Sequence, residues 1–202
     1  KPGADGSSIA AKAIAAVATN TAKITDFMGL NKIAKPAAPI IAVPTTAGTG
    51  SEVTRFTIIT DTARDVKMLI VSDYLMPQAA IVDPLLTLSM PGWVAASTGI
   101  DALTHAIESY ISRKAQPLTE ILSLEAIRMM GAYLRRAWAN PEDLEAKNYV
   151  MLASTVAGMA FSNSSVAMVH GMSRPIGACF HVPHGLSNAI LLPLVMDFSR
   201  VA

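Results

Sequence analysis

Charged side chains are scarce in this sequence. Only 15% of its 202 residues are Asp, Glu, Lys or Arg, whereas 51% are hydrophobic; an average soluble domain has about 25% charged residues. This balance excludes intrinsic disorder, which needs low hydrophobicity and high net charge. The net charge of +1 creates no field that would attract nucleic acid or a membrane surface, so we expect neither as a partner. Because few charges solvate the surface, we expect part of it to be covered, by further subunits of a homo-oligomer or by additional chain.

Cysteine and long apolar runs are also nearly absent. The single cysteine, Cys179, cannot form a disulfide within the chain, which favours a reducing compartment, and we expect a cytoplasmic protein. No neighbouring base in the sequence would activate this thiol, so we expect it to be buried and inert. Pro, Asp, Ser or Asn interrupts every apolar run before it reaches the ~18 residues of a membrane-spanning helix.

The pattern of apolar residues changes near residue 90. Before it, a helix is predicted over 9–19, and short runs rich in apolar and β-branched residues predict strands at 39–43, 55–60, 67–71 and 79–82, the first buried on both faces. After it, one or two helices are predicted over 93–111, followed by helices at 118–138, 141 to about 161, 166 to about 177 and 183–200. Asn140 and Pro141 predict the start of the helix at 141, and 162–165 predict a break after it. The fold class is therefore α/β followed by all-α, divided into 1–90 and 91–202.

Four side chains in the helical part are suited to binding a metal ion: Asp101, His105, His170 and His184. The first two are four residues apart in a predicted helix, so they project from one face. A single buried His is usually a core residue with hydrogen-bonded ring nitrogens. An Asp and three His buried together in so apolar a chain need a partner, however, and a divalent ion provides one. Three imidazoles and one carboxylate suit Fe(II), Zn or Ni better than Ca or Mg.

A loop of small residues follows the strand predicted at 39–43. It reads PTTAGTGSE over 44–52, and hydroxyl groups and glycines after a strand let backbone amides approach an anionic or sugar group. A plain turn is the alternative, and the number of hydroxyl residues favours a ligand-binding loop. Gly6-Ser7-Ser8, before the first helix, is a second candidate because a helix N-terminus can hold a pyrophosphate.

Together these motifs resemble the iron-containing (group III) alcohol dehydrogenases. The resemblance runs from about Gly6 to the last residue, and is carried by PTTAGTGSEVT at 44–54, TGIDALTHAIE at 98–108, HGM at 170–172 and PHG at 183–185. It implies that the Asp and three His named above bind one catalytic metal ion, usually Fe(II), and that NAD or NADP is the cofactor. The residues that it assigns to the cofactor are Gly6, Ser7, Thr45, Thr46, Thr49, Thr54, Lys67 and Leu85.

The resemblance also implies a fold and an activity. The chain corresponds to the central part of a two-domain, dehydroquinate-synthase-like fold, with the end of an α/β dinucleotide-binding domain over 1–90 and the start of an all-α metal-binding domain over 91–202. The implied reaction is hydride transfer between a small alcohol or hydroxy acid and NAD(P), with the metal as a Lewis acid. The alternatives are a glycerol-dehydrogenase-like or dehydroquinate-synthase-like enzyme, and a non-catalytic helical metal-binding module.

Two residues depart from the family pattern. The Asp that follows the glycine-rich stretch in relatives is absent, since Ile9 is followed by Ala10. Arg174 stands four residues after His170, where many members carry another His. An arginine stays protonated and cannot relay a proton. We expect Arg174 to face the metal cleft, either attracting a carboxylate or phosphate of the substrate or forming a structural ion pair while His181 or water carries the proton.

Overall fold

The strands and the longer helices occupy different parts of the chain. The computed structural model describes residues 6–64 and 66–200. Their helices and strands, in chain order, are α1 (Gly6–Thr19), β1 (Gly29–Leu30), β2 (Ile41–Ala42), β3 (Phe56–Asp61), β4 (Val66–Val71), β5 (Ala79–Ala80), α2 (Gly92–Tyr110), α3 (Pro117–Ala139), α4 (Leu144–Ser164), α5 (Met168–Phe180) and α6 (His184–Ser199). Short 3-10 helices lie at Ile24–Phe27, Ser51–Val53, Asp73–Leu75 and Pro84–Thr87.

The strands form two small sheets. In the first, β4 lies between β1, to which it is parallel, and β3, with which it forms an antiparallel hairpin from Phe56 opposite Val71. The second contains only β2 and β5, which are parallel. Ile70 of β4 packs with Ala16 of α1 in a buried apolar cluster, so α1 covers one face of the first sheet.

Helices α2, α3 and α4 pack around a core of small and flexible side chains. Alanine lets helices approach closely, and methionine fills the irregular gaps between them. The buried members of this core are Ala47, Ala102, Met129, Met130, Ala137, Ala146, Val150, Met151 and Ala153. Ala47 belongs to the loop after β2, so this loop is anchored in the helical core.

A sharp turn separates α4 from α5. Ser165 has a φ of 71°, and the two helix axes differ in direction by 101°, which brings the start of α5 back against α2. Within 6–64 and 66–200, no single helix is long and apolar enough to span a membrane. Taken together as a bent pair, α4 and α5 meet the length and composition criteria for a span, but by those two criteria only.

The strand predicted at 39–43 is shorter and more exposed than expected. Only Ile41 and Ala42 pair with a neighbouring strand, and Ile41 is 67% exposed, so the prediction of burial on both faces is wrong. Pro39 and Pro44 flank it, and a proline has no N–H to extend a ladder. The sequence prediction also missed β1, whose two residues are held by the neighbouring β4 rather than by their own propensity.

The ends of α4 also differ from the prediction. The helix begins at Leu144, because the Asp143 carboxylate accepts a hydrogen bond from the Ala146 N–H at 3.0 Å, while Asn140 caps only a turn. It continues through Ser162–Ser164, where a break was predicted, since the Ser164 hydroxyl donates to the Ala160 carbonyl inside the helix.

The prediction for the single thiol was also wrong. Cys179 is exposed on the last turn of α5 rather than buried.

Candidate metal centre

Helix α2 carries the first two predicted ligands on its buried face. Asp101 and His105 are 4% and 6% exposed, one turn apart. The Phe161 ring from α4 stacks on the His105 ring with 4.2 Å between ring centroids, so the orientation of this imidazole is fixed by packing.

The three predicted histidine ligands converge on one carboxylate oxygen of Asp101. His170 lies in the first turn of α5 and His184 is the first residue of α6. Oδ1 of Asp101 is 3.3 Å from Nε2 of His170, 3.7 Å from Nε2 of His184 and 4.0 Å from Nε2 of His105. The ligand atoms of Asp101, His170 and His184 all lie within 4.8 Å of one another, and His105 stands just outside this group. Its ring stacks on that of His170, at 4.4 Å between centroids.

Asn188, which the sequence reasoning missed, indicates that the site attracts positive charge. It is fully buried on α6, and its amide nitrogen lies 2.6 Å from Oδ1 of Asp101, 3.3 Å from Nε2 of His170 and 3.4 Å from Nε2 of His184. An N–H group therefore points its positive end at the place where the acceptor atoms meet. A carboxylate and imidazole nitrogens converging in this way are a suitable donor set for a divalent transition-metal ion. The residues present fit such an ion.

The electrostatics of the site support the same conclusion. Burial lowers the pKa of His105 to about 3 and also lowers the pKa of His184, so both imidazoles are neutral. Burial opposes ionisation of Asp101, but its interactions with the imidazoles of His105 and His170 outweigh burial and hold the pKa of this carboxyl below its usual range. Burial also opposes the charged form of His170, but the contacts with Asp101 and Glu108 outweigh it and raise the pKa of this imidazole. A neutral imidazole and an ionised carboxylate are the forms that bind a metal.

Two further side chains contact the ligand imidazoles at their Nδ1 atoms. The carboxylate of Glu108 is hydrogen-bonded to Nδ1 of His170, and the Ser173 hydroxyl lies 3.5 Å from Nδ1 of His184. Sequence reasoning missed these residues. Helical spacing is the signal that could have found Glu108, which is seven residues after Asp101 and therefore on the same face of α2.

Glycine lets α6 lie directly against α2. A Cβ atom on Gly185 would lie 2.1 Å from the carbonyl oxygen of Ser97, far inside van der Waals contact. The absence of a side chain at this position therefore keeps the neighbouring His184 within reach of Asp101.

The ligands line a cavity of about 1560 Å³, larger than the roughly 300–1,000 Å³ of typical small-molecule pockets. Three residues predicted to contact the cofactor, Thr49, Thr54 and Lys67, line the same cavity. Ser51, also in the lining, is a further candidate; its hydroxyl lies 2.6 Å from that of Ser8 in α1.

Among the predicted cofactor residues whose side chains are described, Thr45, Thr46 and Leu85 are not in the cavity lining. Thr45 is exposed, Thr46 is partly buried, and Leu85 is 55% exposed. Gly6 and Ser7 begin α1, but their side chains lie outside the described part of the structure.

The loop that carries these threonines is fixed from two sides. On one side, the ammonium group of Lys12 in α1 donates hydrogen bonds to the Thr54 carbonyl at 2.5 Å and to its hydroxyl at 3.1 Å. On the other, the Thr155 hydroxyl of α4 donates to the Glu52 carboxylate at 2.7 Å. These contacts from α1 and α4 therefore hold the loop in place as part of the cavity wall.

Arg174 lies where the sequence predicts. It is partly buried on α5, one turn after His170, and lines the cavity. Among the described residues no carboxylate lies within 4.0 Å of its guanidinium group, and its buried Nε has no hydrogen-bond partner. Burial lowers the pKa of Arg174, and the charge of Glu108 opposes this effect. The alternative of a structural ion pair, with Glu108 as its partner, therefore stays a prediction.

Two family models match most of the sequence. One describes the iron-containing alcohol dehydrogenases and matches residues 5–84, and the other describes the C-terminal part of the same family and matches residues 95–201. The chain belongs to the iron-containing alcohol dehydrogenase family. The resemblance inferred from the motifs is thereby confirmed.

Relatives in this family cover nearly the whole chain. It is 42% identical over 192 residues to the NAD-dependent methanol dehydrogenase of Bacillus methanolicus, a match that covers 95% of this chain and 50% of that protein. The crystal structure of a 1,3-propanediol oxidoreductase superimposes with a TM-score of 0.93 at 42% identity, covering 96% of this chain and 51% of that one. Sulfoacetaldehyde reductase from Bifidobacterium kashiwanohense, solved with NAD+, gives a TM-score of 0.88 at 36% identity, and the match covers 98% of this chain and 52% of that one.

The chain spans about half the length of the relatives it matches. Its fold is that of the central part of an iron-containing alcohol dehydrogenase, α/β followed by all-α, and the predicted fold class is confirmed.

Proposed function

We propose that the whole protein is a metal-dependent alcohol dehydrogenase that transfers hydride between a small alcohol and NAD or NADP. The observation that carries this proposal is the meeting of Asp101, His105, His170 and His184 at the wall of one large cavity. The activities named for the relatives, an NAD-dependent methanol dehydrogenase and a 1,3-propanediol oxidoreductase, support it.

The four ligands would hold one divalent ion, with Fe(II) as the first candidate and Zn or Ni as alternatives. When bound, this ion supplies Lewis-acid polarisation of the substrate oxygen. Asp101 brings the negative charge, and the neutral rings of His105 and His184 bring lone pairs without adding positive charge. Phe161, which stacks on His105 and lines the cavity, keeps an apolar wall beside the reacting group.

The cofactor would lie along the loop after β2. When bound, the nicotinamide accepts or donates the hydride. Thr49 and Thr54 of this loop line the cavity, and so does Lys67 of β4. Gly6, Ser7, Thr45, Thr46 and Leu85 complete the proposed contact set, towards the parts of the dinucleotide that extend beyond the cavity.

The proposed domains follow from this arrangement. Residues 1–90 are the C-terminal part of an α/β dinucleotide-binding domain, and residues 91–202 are the first part of an all-α metal-binding domain. A cavity lined by both parts favours an enzyme over a non-catalytic metal-binding module, which would have no use for such a space.

Arg174 gives the proposed site a preference for anionic substrates. Among the described residues of the cavity lining, Asp101 is the one carboxylate, while Lys67 and Arg174 are both cationic. Burial lowers the pKa of His184, and the charge of Arg174 contributes to this, so the guanidinium group acts on the metal centre. A substrate that places its oxygen at the metal and a carboxylate or sulfonate one or two carbons away would meet Arg174. The sulfoacetaldehyde reductase among the structural relatives takes a substrate of this class by name.

Large apolar side chains on the outside of the helical part support a homo-oligomer. They include Leu118, Ile121 and Leu124 of α3, which are 68%, 64% and 49% exposed. A single cysteine supports a reducing compartment such as the cytoplasm.

An assay of NADH formation tests the proposed function. We expect the full-length gene product, stripped of metal by a chelator, to be inactive with 1,3-propanediol and NAD, and to regain activity with Fe(II) or Zn(II). Equal activity of the stripped and reloaded protein, or none in both with NAD and with NADP, would refute the proposal.

A comparison of two substrates tests the role of Arg174. We expect Arg174→His to lower kcat/KM for a short hydroxy acid at least tenfold and to change that for a primary alcohol much less. Arg174→Lys, which keeps the charge but not the two-pronged geometry, should lie in between. Equal changes for both substrates would exclude anion recognition.

A further inference from the structure

Glu108 is a fully buried carboxylate with no lysine or arginine of the described chain within 4.0 Å, although the charge of Arg174 acts on it from farther away. It is 0% exposed and lies on α2, two turns after Asp101. Its oxygens accept hydrogen bonds from the backbone N–H groups of Val169, at 2.5 Å, and His170, at 3.3 and 3.4 Å, and from Nδ1 of the His170 ring. Burying a charge costs free energy unless hydrogen bonds compensate it, so this concentration of donors on one group requires an explanation.

One part of the explanation is helix capping. The first N–H groups of a helix lack partners inside the helix, and Ala167, at the N-cap of α5, has no side-chain acceptor. Glu108 reaches from α2 to supply that acceptor, and its negative charge also suits the positive end of the helix. This fixes the first turn of α5 against α2.

The contact with the ring has a separate consequence. A carboxylate can only accept a hydrogen bond, so Nδ1 of His170 donates to Glu108, and Nε2 is the ring nitrogen that faces the metal centre. Nε2 points at the metal centre, 3.3 Å from Oδ1 of Asp101. One helix therefore holds this imidazole at both ends, with Asp101 on one side and Glu108 on the other.

We propose that Glu108 is a positioning residue for the metal centre, which sets the tautomer and orientation of His170 so that Nε2 faces the ion. The inference rests on the proposed metal site. A carboxylate that accepts a hydrogen bond from a metal-binding histidine makes the ligand more basic and fixes its ring. A cap alone would need only the two backbone contacts.

The test is Glu108→Gln, which keeps the size of the side chain. A glutamine amide has one acceptor oxygen and one donor nitrogen, so it cannot accept from both the ring and the backbone of α5. In the full-length gene product we expect the dissociation constant for Zn(II), measured by chelator competition, to rise 10- to 100-fold. We also expect the absorption spectrum of the Co(II)-loaded protein to change.

Ser109→Ala is the matched control. Ser109 is fully buried, adjacent on α2, and bonded to Ser164 and Ser123 rather than to a ligand. We expect it to lower the midpoint of thermal unfolding of the metal-free protein without changing the Zn(II) affinity or the Co(II) spectrum. If Glu108→Gln behaves like Ser109→Ala, Glu108 is only a cap and the inference is overturned.

The wild-type protein provides a test that does not depend on a variant folding. In the Zn(II)-loaded protein labelled with 15N-histidine, we expect NMR to show His170 protonated at Nδ1 and bound to the metal through Nε2. The opposite tautomer would overturn the inference even if the protein is an active dehydrogenase. A wild-type protein that binds no metal would instead refute the proposed function, so the two failures are distinguishable.

Discussion

A methyl group at position 158 tests whether α4 holds the proposed cofactor loop in place. Gly158 lies where the loop crosses α4, backbone against backbone. A Cβ atom there would lie 2.8 Å from Cγ2 of Val53 and 2.9 Å from both Cα and the carbonyl oxygen of Gly50. Gly50 has a φ of +56°, so the loop cannot easily adopt another path. Gly158→Ala must therefore displace backbone.

The expected magnitude comes from a comparison of two glycines. Gly131→Ala is the matched control, because a Cβ atom on this exposed glycine of α3 meets nothing within 4 Å. Both substitutions gain about 0.8–1 kcal/mol of helix propensity. Only Gly158→Ala adds overpacking, which costs about 1–3 kcal/mol. We therefore expect Gly158→Ala to be about 1–3 kcal/mol less stable than Gly131→Ala, and its displaced loop to carry Thr49 and Ser51 away from the cavity.

Denaturant unfolding and a fluorescence titration with NADH measure the two effects. Gly131→Ala should be slightly more stable than the wild type and bind NADH equally well. Gly158→Ala should be less stable than Gly131→Ala and bind NADH more weakly than the wild type, with its metal content unchanged. If the two variants are equally stable, the close approach of Gly50 and Gly158 is refuted. If stability falls while the NADH affinity is unchanged, the loop is not part of the cofactor site.

Three further predictions concern pH, the cofactor and the metal. Burial lowers the pKa of Lys12 from the ordinary 10.5 to about 7. Between these two pH values the unfolded chain binds more protons than the folded chain. The free energy of unfolding should therefore rise as the pH increases across this window, by at most about 1.4 kcal/mol per pH unit. Lys12→Met should flatten this slope in urea unfolding series, and an unchanged slope would show that another group titrates. Thr46→Val should raise the dissociation constant for NADH about fivefold, the value of one hydrogen bond of about 1 kcal/mol; an unchanged constant would make this threonine part of a plain turn. His184→Ala should remove most of the bound metal, and elemental analysis that still finds one ion per chain would contradict the ligand assignment.

The chemistry of the site was predictable from the sequence because it is partly local. Asp101 and His105 are four residues apart on one helix, and this spacing alone puts them on one face. That His170 and His184 come back to the same point depends on tertiary structure: on the turn at Ser165 with its positive φ and on the contact of Gly185 with α2. The residue types suggested these ligands, but only the fold places them.

Other features depend on partners that the sequence does not identify. β1 exists because β4 lies beside it, and the start of α4 depends on which of two neighbouring caps, Asn140 or Asp143, engages the helix. Which threonines of the loop line the cavity was equally unpredictable, since Thr49 does and Thr45 does not.

The proposed function depends on Asp101, His105, His170 and His184 holding one metal ion. Anomalous diffraction from crystals of the Fe(II)-loaded full-length gene product, collected on both sides of the iron absorption edge, would locate this ion. We expect one strong peak per chain, bonded to a carboxylate oxygen of Asp101 and to Nε2 of each of the three histidines, with the ring of His105 moved closer than in the present structure. A peak bonded to other residues, or no peak in crystals of an active enzyme, would contradict it.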